Sequence, residues 1–154
     1  MIWRVAVAAL LLAAGIPVPT AALVTQAQAT LPRIPLTLRT GKTAHRYSVE
    51  LARLPEEQQA GMMFRTRMAR NEGMLFPFAE ARPLAFWMEN TVLPLDIVFI
   101  GTDSRVVNVA QGKPYSREMI PSAGPAAAVL ELNLGEAARI GLKPGDVVEY
   151  RLPG

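Results

Sequence analysis

His45-Arg46-Tyr47-Ser48-Val49-Glu50-Leu51 alternates polar and apolar side chains from Arg46 onward. A period of two belongs to an extended strand with one buried face, so Tyr47, Val49 and Leu51 turn to a core while Arg46, Ser48 and Glu50 turn to solvent. Upstream, Gly41-Lys42 marks a turn, Leu36 to Thr40 a shorter strand, and the proline-bearing stretch Thr30 to Pro35 an extended lead-in. Downstream, Pro55 stands at a first helical position with Glu56 and Glu57 in the first turn. This predicts a short helix through Ala60 that Gly61 limits. The run Gly61 to Phe64 is apolar enough to be buried, Arg65 emerges at its end, and Asn71-Glu72-Gly73 is the next turn signal.

From Met74 the same grammar repeats. Apolar blocks at Met74 to Phe78, Leu84 to Met88, Ile97 to Ile100, Val106 to Ala110, Ala127 to Leu132 and Val147 to Leu152 are separated by breakers. Blocks this short are strands more readily than helices. Gly101-Thr102-Asp103-Ser104 predicts a hairpin, Pro144-Gly145 a type II turn, and residues 111–125, rich in Pro and Gly, one long loop. Leu134 to Ile140, closed by Gly141, is a second helical candidate. About eight short strands and two short helices make a mainly β, single-domain protein, a jelly-roll-like β-sandwich or a partly closed barrel.

The first 29 residues read differently. Arg4, the apolar run Val5 to Ile16, the breakers Pro17 and Pro19, and Ala27-Gln28-Ala29 have the layout of a secretory signal. Cleavage after Ala29 would leave residues 30–154 as one domain in the periplasm or outside the cell, with no stable membrane span. It would also lower the formal net charge from +3 to +2, an excess too small and too dispersed to suggest nucleic acid as a partner. Arg65, Arg67 and Arg70 do gather locally, as a solvated turn or as a contact for an anion. The absence of cysteine excludes disulfides and a thiol nucleophile, and fits an oxidising compartment.

Candidate chemistry concentrates in Phe86-Trp87-Met88-Glu89-Asn90-Thr91-Val92-Leu93-Pro94-Leu95-Asp96. Polar side chains beside apolar runs need partners, because an unsatisfied buried polar group costs about 1 to 3 kcal/mol. Asn90 and Thr91 either tie a turn before Pro94 or face a pocket beside Trp87, with Asp96 opposite, giving a stacking and hydrogen-bonding surface for a sugar or peptide. By alternation Trp87 shares a face with Ala85, not with Phe86 or Met88. Asp96 and Glu131 are the acids most embedded in apolar sequence, and each asks for a partner, with Arg65 the candidate for at least one. The result is either a buried Arg-carboxylate clamp joining the first helix to the sheet or a carboxylate pair for acid-base work. His45, the single histidine, reads as solvated or capping. With no Cys and one His, the ordinary zinc sets cannot assemble within one chain. Met62, Met63, Met68, Met74 and Met88 read as core packing, with a Cu(I) site as the alternative.

Gly61-Met62-Met63-Phe64-Arg65, Gly73-Met74-Leu75-Phe76, Phe86-Trp87-Met88-Glu89-Asn90-Thr91, Leu95-Asp96 and Leu130-Glu131-Leu132-Asn133-Leu134-Gly135 occur in an order and spacing that resembles the uncharacterised family named domain of unknown function 192. The resemblance covers roughly residues 40–152 and implies a jelly-roll-like β-sandwich; it implies almost nothing about activity. The functional expectation is an exported accessory protein that binds a small ligand or an envelope protein through Trp87, Asn90, Thr91 and Asp96, with Arg65 and Glu131 in support. It needs no cofactor or metal and does no chemistry. The alternative is a hydrolase of a cell-envelope saccharide acting through Asp96 and Glu131.

Overall fold

The computed structural model describes residues 23–154; the apolar run Val5 to Ile16, on which the expectation of a secretory signal rests, lies outside them. The alternating segment folds as expected into a strand, β2 (Thr43–Leu51), hairpinned on β1 (Arg33–Thr40). Helix α1 (Pro55–Ala60) follows, with Pro55 in its first turn and Gly61 at φ 44° ending it. Then come β3 (Glu72–Arg82), the short β4 (Ala85–Phe86), β5 (Leu95–Ile100), β6 (Val106–Gly112), the short β7 (Ile120–Pro121), β8 (Ala126–Asn133), α2 (Glu136–Ile140) and β9 (Val147–Tyr150).

Seven strands form one mixed sheet in the order β6-β5-β8-β3-β2-β1-β9, while β4 and β7 pair separately. Every neighbouring pair is antiparallel except β2 and β3, which the crossover through α1 makes parallel. The sheet curls until its two edge strands touch. Arg105 bridges Val147, and Val106 N–H and Val148 N–H donate to Asp146 O and Ser104 O at 2.9 and 2.8 Å. The barrel is therefore partly closed, as the sequence suggested, and its joint is built from the predicted turns. Asp146 N–H donates to Lys143 O across Pro144-Gly145, and Gly145 takes φ 90°, as the third residue of a type II turn requires.

Both faces of the sheet are covered, which divides the core in two. Inside the curl pack Leu36, Leu38, Val49, Leu75, Val98, Leu130 and Val148, with Ala137 and Ile140 of α2 and Leu142 just beyond it. On the outer face pack Met62, Met74, Phe76, Met88, Ile97, Phe99 and Val129, beneath α1 and the segments after it. This second layer corrects the expectation for β2: Val49, Glu50 and Leu51 are all buried, so Glu50 is not on a solvent face. It also corrects two turn and loop readings. Gly73 lies within β3, where a Cβ would come 2.6 Å from Glu131 O of the neighbouring strand; the glycine marks a close backbone approach rather than a turn. The predicted long loop, residues 111–125, contains the end of β6 and all of β7.

Candidate functional site

Alternation orients the aromatic segment. Ala85 and Trp87 face outward, Phe86 and Met88 inward, and Trp87 is 44% exposed while Met88 is fully buried. Phe86 is fixed edge-on against Phe76 and Phe99, with ring centroids 5.2 and 6.2 Å away. Trp87 thus stands on a rigid base and opens onto a groove of about 570 Å³ bordered by Met63, Phe78, Leu84, Phe86 and Asn90. The chain's own Leu23 and Val24 also line this groove. Close by, Gln28 Nε2 donates to Glu57 O and Gly61 O, two carbonyls at the end of α1, at 3.0 and 2.9 Å.

Asn90 and Phe64 are both left-handed, at φ 53° and 61°, and Phe64 N–H donates to Asn90 O at 2.8 Å. Two conformations unfavourable for side-chain-bearing residues hold each other where the apolar run after α1 meets the Trp87 segment. The bond is made by the backbone of Asn90, and its carboxamide is left bordering the groove. Thr91 follows the turn-tying reading. It is buried, its Oγ1 donates to Glu89 O at 3.1 Å, and its carbonyl accepts from Tyr115 N–H.

The two acids do not meet. Asp96 opposes Leu132 across β5 and β8, whereas Glu131 opposes Ile97, so the carboxyl groups point to opposite faces of the sheet. Asp96, on the inner face, accepts the Ala137 N–H at 2.8 Å and ties α2 to the barrel. It is not opposite Trp87. Glu131, on the outer face, is 4% exposed, and its Oε2 has no hydrogen-bond partner among the described residues. Burial alone pushes its carboxyl up to about 8. A paired-carboxylate mechanism needs both groups in one cleft, so the hydrolase alternative is not carried forward.

Arg65 forms the expected clamp with an acid that the sequence reading had assigned to solvent. Its Nη1 and Nη2 donate to Glu50 Oε1 and Oε2 at 2.6 and 2.9 Å, a bidentate pair that fastens the segment after α1 to β2. Neither Asp96 nor Glu131 is its partner. Leu31 N–H adds a third bond to Glu50 at 2.8 Å, and Arg33 joins Glu50 to Glu72. The signal for Glu50 was its position between Val49 and Leu51 at the end of a strand followed by a covering helix; one-faced alternation concealed it. The pair also removes Arg65 from the surface cluster with Arg67 and Arg70.

Glu131 faces a small cavity of about 40 Å³ beneath α1, also lined by Met62, Phe76, Phe86, Trp87 and Thr91. Gln58, Gln59, Met63, Phe86 and Trp87 line both this cavity and the groove, so the two adjoin at these residues. Among the described residues no group of three or more His, Asp or Glu could hold a metal ion. Met62, Met74 and Met88 are packed in the outer core, in line with the packing reading of the methionines.

The fold and the site define a class: a small, mainly β domain whose partly closed mixed barrel carries a tryptophan-lined groove on its outer face. The chain belongs to the domain of unknown function 192 family, described as "Uncharacterized ACR", whose model matches residues 36–150. It is similar to a crystallised protein of unknown function from Novosphingobium aromaticivorans DSM 12444, at 48% identity and TM-score 0.75 over 77% of this chain and 86% of that one. It is also similar to a protein of Sinorhizobium meliloti 1021 described as a "putative transcription regulator", at 40% identity and TM-score 0.77 over 80% of this chain and 97% of that one. No curated protein matches the chain.

Proposed function

We propose that the protein is an exported binding module whose groove beside Trp87 holds an extended ligand, a peptide before a saccharide. The observation that carries this reading is the groove itself: a half-exposed indole next to the anchored Phe86, an adjacent Asn90, and the chain's own Leu23 and Val24 along its wall. A Trp face and a few polar groups suit a ligand that stacks and hydrogen-bonds at once. The amide of Gln28, which donates to the carbonyls of Glu57 and Gly61, supports the preference for a polypeptide. With the leader cleaved after Ala29, these residues leave and the groove becomes free.

The test is a thermal-shift screen of residues 30–154, which contain every strand and both helices, against short peptides and envelope saccharides, repeated on Trp87→Ala. A ligand confined to the native state raises stability by about 2.7 kcal/mol at a hundredfold excess over its Kd. A peptide-dependent rise that disappears in Trp87→Ala is the expected result. A rise with saccharides alone would replace the ligand class, and a rise that persists in Trp87→Ala would remove the groove from the reading.

A further inference from the structure

The compartment behind Trp87 carries more information than the groove in front of it. Its lining contains a single ionisable side chain, Glu131, and three aromatic rings, Phe76, Phe86 and Trp87. Glu131 is nine-tenths buried or more, and its Oε2 has no partner among the described residues. Proteins do not leave such atoms unpaired without cause, since a buried acceptor forfeits its hydration on folding. The acid cannot be explained as part of the clamp. Glu50 lies on the same sheet face, one strand beyond Met74, and is already bound by Arg65.

Size and chemistry narrow the occupant. The cavity is small, about 40 Å³ against about 570 Å³ for the groove, so it suits a compact group better than a sugar or an aromatic ring. A carboxyl floor calls for an N–H or O–H donor, and a carboxylate is matched best by a donor that also carries positive charge. A primary ammonium is the compact cation that donates hydrogen bonds. We propose that Glu131 is the inner anchor of the groove and that it takes the primary ammonium of a ligand, of the lysyl side-chain type, whose aliphatic stem passes Trp87. This inference rests on the groove being a ligand site and adds the chemical group that the site selects. Burial holds the empty carboxyl near the boundary between its neutral and charged forms, and an ammonium neighbour favours the charged one.

The experiment titrates the full chain calorimetrically, with residues 30–154 alongside it, using three probes of equal length: n-pentylamine, n-pentanol and pentanoate. The wild-type chain should bind the amine about tenfold or more tighter than the alcohol, the ratio expected from one hydrogen bond to a charged partner, and pentanoate most weakly. Glu131→Gln, which keeps the volume and removes the charge, should abolish the preference for amine over alcohol. Glu131→Met provides the same comparison with an apolar side chain if the amide variant does not fold. Equal binding of amine and alcohol by the wild type, or an amine preference that persists in both variants, overturns the assignment. Trp87→Ala separates the two readings. A screened peptide that needs Trp87 and is indifferent to Glu131 removes the ammonium anchor and leaves the groove. Amine binding that needs Glu131 and is indifferent to Trp87 keeps the anchor and removes the groove.

Discussion

Glu131 is the residue at which function and stability pull apart. Its carboxyl stands at about 8 in the folded chain against an ordinary 4.5, and the cause is burial. Between those values the native state holds a proton that the unfolded state has released, so stability falls as pH rises through that window, by at most ~1.4 kcal/mol per pH unit, and levels off above it. Glu136 and Asp146 act on the other side. Arg139's hydrogen bonds hold Glu136 below the ordinary value, and Asp146, although burial opposes it, is held down by Lys143; their contributions are lost as pH falls. Denaturant titrations from pH 5 to 8 should therefore show a declining stability that Glu131→Gln flattens, with the variant more stable than the wild type at pH 8. A wild-type curve that is flat across this range would show that the acid has found a partner. Asn90 offers a second separation. Because its backbone is left-handed, Asn90→Ala should cost about 1 kcal/mol or more, whereas Asn90→Gly keeps the turn and removes only the carboxamide. Asn90→Gly should leave the melting temperature nearly unchanged while weakening ligand binding, and only Asn90→Ala should melt several degrees lower. At this scale the sequence exposed Trp87 and the embedded acids, because residue type and alternation carry that information. It concealed Glu50, because burial on the second face depends on what α1 covers.

At the scale of elements, β3 and β8 pass each other closely at Gly73. A Cβ at Gly73 would meet the backbone oxygen of Glu131 at 2.6 Å and a methyl of Leu132 at 3.0 Å, and the backbone cannot withdraw as a flexible side chain would. Gly73→Ala should therefore lower stability by about 1 to 3 kcal/mol, as overpacking does, and the melting temperature should show it. Gly112 provides the control. Its added Cβ would meet the sulfur of Met88 at 2.4 Å and that side chain's Cγ and Cε at 3.0 and 3.1 Å, an unbranched side chain rather than backbone, so Gly112→Ala should cost less. A larger loss at Gly112 would mean that Met88 is locked in the outer core. These positions also show what was legible. Breakers located the α1 stop at Gly61, the α2 stop at Gly141 and the hairpin after β5, since each of these is local chemistry. Gly73 read as a turn because a glycine demanded by a neighbouring strand has the same spelling as one demanded by φ.

For the whole molecule the mainly β class and the partial closure followed from the strand count and the turn residues, while the strand order, and with it the separation of Asp96 from Glu131, depended on pairings between distant segments. Of the segment before Thr30, the described residues 23–29 touch the domain through Gln28's two bonds to Glu57 O and Gly61 O, Ala29's carbonyl on Arg65 and the side chains at the groove, and these residues supply no strand. Removing residues 1–29 should therefore cost about 1 to 3 kcal/mol, the net worth of a few partly exposed hydrogen bonds, without touching either core. Denaturant unfolding of the full chain and of residues 30–154 should give single transitions with closely similar m values and a slightly lower midpoint for the shorter chain. The same pair should differ strongly in ligand uptake, because only the shorter chain presents the groove without Leu23 and Val24. An unfolded or molten 30–154 chain would make the leader a part of the fold. Equal uptake by the two chains would mean that the leader does not occlude the groove.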